Sequence, residues 1–298
     1  MITNPLCVKA PAKINLFLRI TGRRPDGFHE LVTLMCPVAL YDTLTLTPEN
    51  EGLHVVCGHP DVPEDEFNLA ARAARLFVET AFPEASRPVS GLTIHIDKTI
   101  PVGAGLGGGS SDAAAVLTAL NRHRGNPLST PALMELAGRL GADVPFFIPG
   151  GAALATGIGD RLEPFSRLPT WTVLLVYPNV AVSTAWVYKN LNLRLTKDEK
   201  KLRKFHFKDR FFNVAEHLVN DLEPVTIKAF PVIEEIKRLL LAHGAAGAMM
   251  SGSGSTVFGL FKTPGRAESA YSALRNNQRS QNWTLYVADL LIHRPVIA

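Results

Sequence analysis

Residues 101–114 read PVGAGLGGGSSDAA, with five glycines in the seven positions from Gly103 to Gly109. Upstream, Leu92-Thr93-Ile94-His95-Ile96-Asp97 alternates apolar and polar side chains, the period of a half-buried strand. Downstream, Asp112-Ala113-Ala114-Ala115-Val116-Leu117 is rich in helix formers, with Ser110 or Ser111 expected as the N-cap. Glycines between a strand and a helix let main-chain amides approach a ligand closely. The helix N-terminus behind them adds unpaired donors and about half a positive charge, so the expected guest is a phosphate chain.

Other phosphate loops fit poorly. A Walker A loop needs Gly-Lys before Ser or Thr, and the chain has no Gly-Lys pair. Gly103, Gly105 and Gly108 satisfy G-x-G-x-x-G, but that fingerprint wants an acid about 20 residues on, to hold a ribose hydroxyl. No Asp or Glu occurs from Ala113 to Met134. His95, Asp97 and Lys98 also make the preceding segment too polar for a central parallel strand.

At 298 residues the chain suggests two domains or one large one, divided near 160–168 and taken as 1–165 and 166–298. A hydrophobic fraction of 46% against 19% charged supplies packed cores. The net charge of +4 resides in one segment, 195–210 (LTKDEKKLRKFHFKDR), and elsewhere acids and bases cancel. Such a run reads as a solvated face; with no aromatic-and-basic platform beside it, no nucleic-acid partner is expected. Cys7, Cys36 and Cys57 are odd in number and widely spaced, which suits reduced thiols and a cytoplasmic location. No signal-peptide pattern opens the chain. The charge-free runs at 168–188 and 239–261 are interrupted by Pro, Gly and Ser, so no membrane association is expected.

Ile14, Leu16, Leu18 and Ile20 share one face of an expected strand, and Lys13, Asn15, Phe17 and Arg19 the other. Arg24-Pro25-Asp26-Gly27 reads as a turn, and a further strand is expected near Thr43–Thr47. Helices are expected over 68–80, 129–140 and 231–243, and strands over 171–177 and 256–261. Strands and helices mix without regular βαβ alternation, so the fold class is α+β.

Lys13 could snorkel to solvent or act in chemistry. Asp143, in Gly141-Ala142-Asp143-Val144-Pro145-Phe146-Phe147, could cap a turn or serve as a proton acceptor, since a half-buried acid calls for a partner. A lysine beside it would keep it ionised. Ser251-Gly252-Ser253-Gly254-Ser255 reads as a tight turn or as a second close approach of backbone to ligand. It does not form G-x-S-x-G, which argues against an α/β-hydrolase. His54, Cys57 and His59 lack a standard metal-ligand spacing and read as ordinary turn residues.

Taken together, PVGAGLGGGSSDAA and SGSGSTVFGLF (251–261) resemble the phosphate-binding and C-terminal glycine motifs of the GHMP small-molecule kinases. PAKINLFLRITGRRPDGFHEL (11–31) and LGADVPFF (140–147) are similar to one subfamily, which acts on cytidine-diphosphate-linked methylerythritol in the non-mevalonate isoprenoid route. The resemblance implies a two-lobed fold with its active site in the cleft between an N-terminal and a C-terminal α+β domain. It implies ATP, with Mg2+ whose protein ligands it does not name. ATP phosphates would lie along Pro101, Val102, Gly103, Ala104, Gly105, Leu106, Gly107, Gly108, Gly109, Ser110 and Ser111. Lys13 and Asp143 would be the catalytic pair, and Asn15 would orient the acceptor. Cytosine would stack on Phe28 and meet His29, with Tyr188 as the opposing ring and Lys98 and Asn68 nearby. Phe28 stands where the family often has tyrosine, so stacking survives and a hydroxyl contact does not. A monomer or homodimer is expected. Homoserine-type or mevalonate-type kinases and a non-catalytic ATP-binding sensor are the competing readings.

Overall fold

The alternation at residues 13–20 belongs to a strand much longer than the pattern alone suggests: β1 runs Leu6–Arg23. The turn at Arg24–Gly27 separates it from β2, His29–Pro48, which absorbs the separate strand expected at 43–47. From Ala12 to Leu18 every side chain is buried, so β1 is covered on both faces there. The computed structural model describes residues 4–83, 91–191 and 211–292. The basic segment 195–210 lies outside them.

Two compact units form, and neither is continuous in sequence. The first comprises Met1–Ala12, Leu40–Val102 and Gly107–Gly150; the second comprises Lys13–Ala39, Gly103–Leu106 and Gly151–Ala298. β1 and β2 each lend a stretch to both.

In the first unit, β4 (Leu92–Asp97) pairs antiparallel with the Thr43–Pro48 end of β2 and parallel with β3 (Leu53–Val56). Helices α1 (Leu69–Ala81), α2 (Gly108–His123) and α3 (Thr130–Gly138) supply the rest of its core. Leu44, Leu46, Ile94 and Ile96 from the strands pack with Phe77, Val116, Leu117 and Leu136 from the helices. Asn68 caps α1 and Ser129 caps α3, each accepting from a main-chain amide two or three residues on.

In the second unit, β7 (Thr172–Tyr177), β9 (Gly247–Met250), β10 (Val257–Phe261) and β11 (Thr284–Asp289) form an antiparallel sheet in the order β11-β7-β10-β9. Its core includes Leu174, Val176, Val257 and Phe261 from the sheet, and Ile233, Ile236 and Leu240 from the helix Val232–Ala242. Ala267, Ala270 and Leu274 come from the helix Pro264–Arg275. The short strand β8 (Val219–Asn220) lies parallel to β1, with Phe17 opposite Val219. Among the described residues no helix is long and apolar enough to cross a membrane. The mixture of mainly antiparallel strands and helices is α+β.

Candidate active site

The strand-to-helix step at 97–108 forms, but its cap differs from expectation. α2 begins at Gly108, and Gly107 is the N-cap, in the left-handed conformation at φ 71° with no side chain to offer. Ser110 and Ser111 are therefore already inside the helix, and the Ser111 amide donates to the Gly107 carbonyl. The expected serine cap fails because the chain turns into the helix where only glycine adopts the required backbone without strain. A sixteen-residue helix is thus left with its leading amides uncapped by any side chain, which is what an anion site needs.

The middle of the loop, Gly103–Leu106, is held within the second unit by main-chain and serine contacts. Lys13 N donates to Leu106 O (2.9 Å), Thr256 N to Ala104 O (3.2 Å) and Val182 N to Gly103 O (3.3 Å). Ser251 Oγ donates to Gly105 O (3.0 Å) and accepts from Asn15 N (3.4 Å). Gly105 has φ 79°, and a Cβ there would run into the Ser251 carbonyl, so the two glycine loops touch backbone to backbone. The 251–255 loop is fastened in turn: Asn220 Nδ2 donates to Met250 O (2.9 Å) and Gly252 O (2.7 Å), and the Thr184 and Ser253 hydroxyls pair at 2.8 Å.

Lys13 does not snorkel. It is 4% exposed, and its Nζ donates to Asn15 Oδ1 at 2.7 Å. Asn15 Nδ2 donates to Thr33 Oγ1 (2.9 Å), whose hydroxyl donates to Phe17 O (2.6 Å). The amide is thereby oriented with its oxygen on the lysine, and a Cβ on Gly252 would lie 3.5 Å from Lys13 Nζ. In this part of the second unit a buried ammonium, an oriented amide and two glycine turns converge. Asp143, half-buried in the first unit, immediately precedes Val144 and the 3-10 turn Pro145–Phe147.

Of the residues expected to hold the base, Phe28 is 61% exposed. His29 and Tyr188 have ring centroids 5.1 Å apart at an interplanar angle of 30°. That spacing packs the two rings on each other and leaves no room for a base between them. Burial, with the Arg23 charge adding, lowers the His29 imidazole below its ordinary range and favours the neutral ring. Asn68 has both ends of its amide engaged locally: Oδ1 accepts from Ala70 N (2.8 Å), and Nδ2 donates to Pro63 O (2.7 Å). Lys98 Nζ is bound by two buried carboxylates, Asp42 and, at 2.9 Å, Asp112.

Residues 68–151 match the GHMP kinases N terminal domain, and residues 207–280 match the GHMP kinases C terminal region. The chain is 48% identical over 281 residues to the 4-diphosphocytidyl-2-C-methyl-D-erythritol kinase of Syntrophotalea carbinolica, covering 94% of this chain and 97% of that one. It is 47% identical to the enzyme of the same name from Pelobacter propionicus, covering 96% and 99%. This chain belongs to the 4-diphosphocytidyl-2-C-methyl-D-erythritol kinase family. It is therefore a kinase of the GHMP type and uses ATP. A crystal structure of 4-(cytidine 5'-diphospho)-2C-methyl-D-erythritol kinase superposes with a TM-score of 0.77 at 37% identity, covering 96% of this chain and 99% of that one. The Cytophaga hutchinsonii homoserine kinase, at TM-score 0.73 and 21% identity over 98% and 97%, shares the fold.

Sequence reasoning singled out the Gly/Ser loop at 251–255 but missed its fasteners Thr184 and Asn220, as well as Thr33 behind Asn15 and the acids Asp42 and Asp112. The two acids carried one readable sign, a lone carboxylate among apolar or small neighbours: Leu40-Tyr41-Asp42 and Ser111-Asp112-Ala113. Thr33, Thr184 and Asn220 carried none.

Proposed function

We propose that this kinase transfers the γ-phosphoryl group of ATP to the 2-hydroxyl of 4-diphosphocytidyl-2-C-methyl-D-erythritol, within the non-mevalonate route to isoprenoid precursors. The names and identities of the curated relatives support the acceptor. The observation that carries the phosphate side is the helix head at Gly107–Gly108, with a left-handed glycine cap and no side chain on its leading amides. The proposed functional halves, 1–165 and 166–298, each contain one of the two matched family regions.

In this reading the amides along Pro101–Ser111 hold the phosphates. Phosphoryl transfer asks chiefly for positioning and charge neutralisation. Charge-assisted hydrogen bonds contribute roughly 1.5–3 kcal/mol each, so several loop amides outweigh a helix-dipole contribution of about 1 kcal/mol. Asp143 accepts the hydroxyl proton as the new O–P bond forms, because an ordinary carboxylate is far too weak a base to ionise an alcohol beforehand. Lys13 neutralises charge on the transferring phosphoryl group, and Asn15, oriented by Thr33, fixes the lysine and the acceptor. Mg2+ accompanies the triphosphate. Mg2+ would supply charge neutralisation on the phosphates, and among the described residues no cluster of three or more His, Cys, Asp or Glu that could hold a metal ion is found.

Cytosine stacks on the exposed Phe28 ring beside neutral His29, with Tyr188 backing the histidine. For Asn68 and Lys98 to reach the base, as the resemblance implies, both would have to give up contacts they now make. The deciding experiment is an ADP-release assay over the cytidylyl acceptor, homoserine and mevalonate, with CMP as competitor. Turnover confined to the cytidylyl acceptor, and inhibited by CMP at the acceptor site, is expected. Turnover of homoserine or mevalonate without CMP inhibition would replace this acceptor.

A further inference from the structure

Both ends of the glycine loop are fastened to one buried cluster in the first unit. Asp42, fully buried on β2, accepts on Oδ1 from the amides of Thr99 (2.7 Å) and Ile100 (2.9 Å), the two residues that lead into Pro101. Its other oxygen takes Lys98 Nζ, and the same ammonium reaches Asp112 Oδ2 at 2.9 Å, in the opening turns of α2. The cluster also lies against the helix head. A Cβ on Gly108 would stand 3.1 Å from Lys98 Nζ, 3.1 Å from Ile100 Cγ2 and 3.3 Å from Asp42 Oδ2. Asp42 thus grips the entry to the loop, Asp112 its exit, and Lys98 bridges the two.

A buried ion cluster is a poor source of net stability, because desolvation of its charges offsets most of their attraction. Its geometric effect is different. Fixing both ends of a glycine-rich segment removes loop conformations that would otherwise have to be lost when a ligand binds. An anion cradle works only when its amides are already aimed.

We infer that the Lys98–Asp42–Asp112 cluster is the positioning device of the phosphate loop, setting the separation of its ends and thereby the affinity for the triphosphate. This rests on the reading that ATP phosphates lie along the loop. It makes Lys98 a positioning residue for ATP instead of a contact for the cytosine.

The test uses the full chain, with folding followed by circular dichroism and thermal melting. Affinity for a non-hydrolysable ATP analogue is measured by calorimetry, and KM is determined for ATP and for the cytidylyl acceptor separately. Lys98→Met should weaken the ATP analogue and raise the ATP KM about ten- to a hundredfold, the scale of a misaimed binding group. The acceptor KM should stay within about twofold, as expected for an interaction not made with that substrate. The double variant Lys98→Met with Asp112→Asn removes one of the carboxylates left facing each other and should regain melting temperature without regaining ATP affinity. It also carries the test if the single variant does not fold. Recovery of ATP affinity together with stability would make the cluster structural only. A raised acceptor KM with unchanged ATP affinity would return Lys98 to the cytosine pocket. Gly105→Ala separates the two levels. If it folds and binds the analogue like the unaltered chain, the loop reading itself fails. If it loses binding while folded Lys98→Met retains it, only the positioning inference fails.

Discussion

At the scale of single residues, Lys13 and Asp143 are the pair on which the proposed chemistry turns. Asp143→Asn keeps size and shape, and Lys13→Met keeps most of the buried volume. Each should lower kcat by about 10²–10⁴, the usual contribution of a positioned acid or base, while ATP-analogue affinity stays near its original value. Rapid-quench turnover within a few-fold of the unaltered chain in either variant would remove that residue from the chemistry. Asp112 supplies a different residue-scale prediction. Burial pushes its carboxyl up to about 7, against the pull of Lys98 and with Asp42 adding to the rise. Burial alone would lower Lys98, but the charges of Asp112 and Asp42 outweigh it and hold the ammonium above the ordinary lysine range. A folded carboxyl raised from 3.8 to about 7 retains a proton that the unfolded chain has released, so its contribution to stability falls as pH rises through that window. Asp112→Asn should therefore gain on the unaltered chain in urea midpoint between about pH 4.5 and pH 7.5, the sign set by proton linkage. A gap that stays flat or closes with rising pH would mean that the folded carboxyl is ionised throughout.

At the scale of elements, helix α1 and the loop before α2 show how caps divide between stability and ligand binding. Asn68 caps α1 through Ala70 N, and its other end ties down Pro63 O. Asn68→Ala should cost about 0.5–2 kcal/mol in denaturant unfolding, as N-cap losses do. If Asn68 also serves the acceptor, the acceptor KM rises as well; an unchanged KM assigns the residue to the cap alone. α2 has the opposite arrangement, a glycine cap that satisfies nothing. Adding a capping side chain there is excluded by the left-handed φ at Gly107, which costs an L-residue roughly 1–2 kcal/mol. Gly107→Ser should lower both stability and ATP affinity, measured by melting and calorimetry on the same sample, and a gain in either would contradict the strained-cap account. The elements themselves were largely readable. Alternation at 92–97, the Asn68 and Ser129 caps and the stop near Gly244 all carry local signals, and the observed bounds fall within a few residues of expectation. At α2 the rank of serine over glycine as a cap points to Ser110 or Ser111, but the left-handed backbone at residue 107 decides for glycine.

At the scale of the whole molecule, each compact unit has a buried aromatic centre, Phe77 in the first and Phe261 in the second. Replacing either with alanine should cost about 3–5 kcal/mol by cavity formation, read from urea unfolding. An ATP analogue at a hundred times its dissociation constant should add about 2.7 kcal/mol to the unfolding free energy by mass action. No stabilisation at that occupancy would mean that the analogue binds the unfolded chain comparably. What the amino-acid sequence determined alone was everything carried by neighbours along the chain. Periodicities placed strands and helices, and glycine spacing marked the phosphate loop. The order of motifs marked the kinase family, with Lys13, Asn15 and Asp143 as its candidates. Tertiary structure decided which distant groups meet: Ser251 on Gly105, Thr33 behind Asn15, and Asp42 with Lys98 and Asp112. Those contacts join residues tens to hundreds of positions apart. A buried ammonium or carboxylate takes its partner from whatever the folded chain brings within hydrogen-bond reach, and no local spacing encodes that choice.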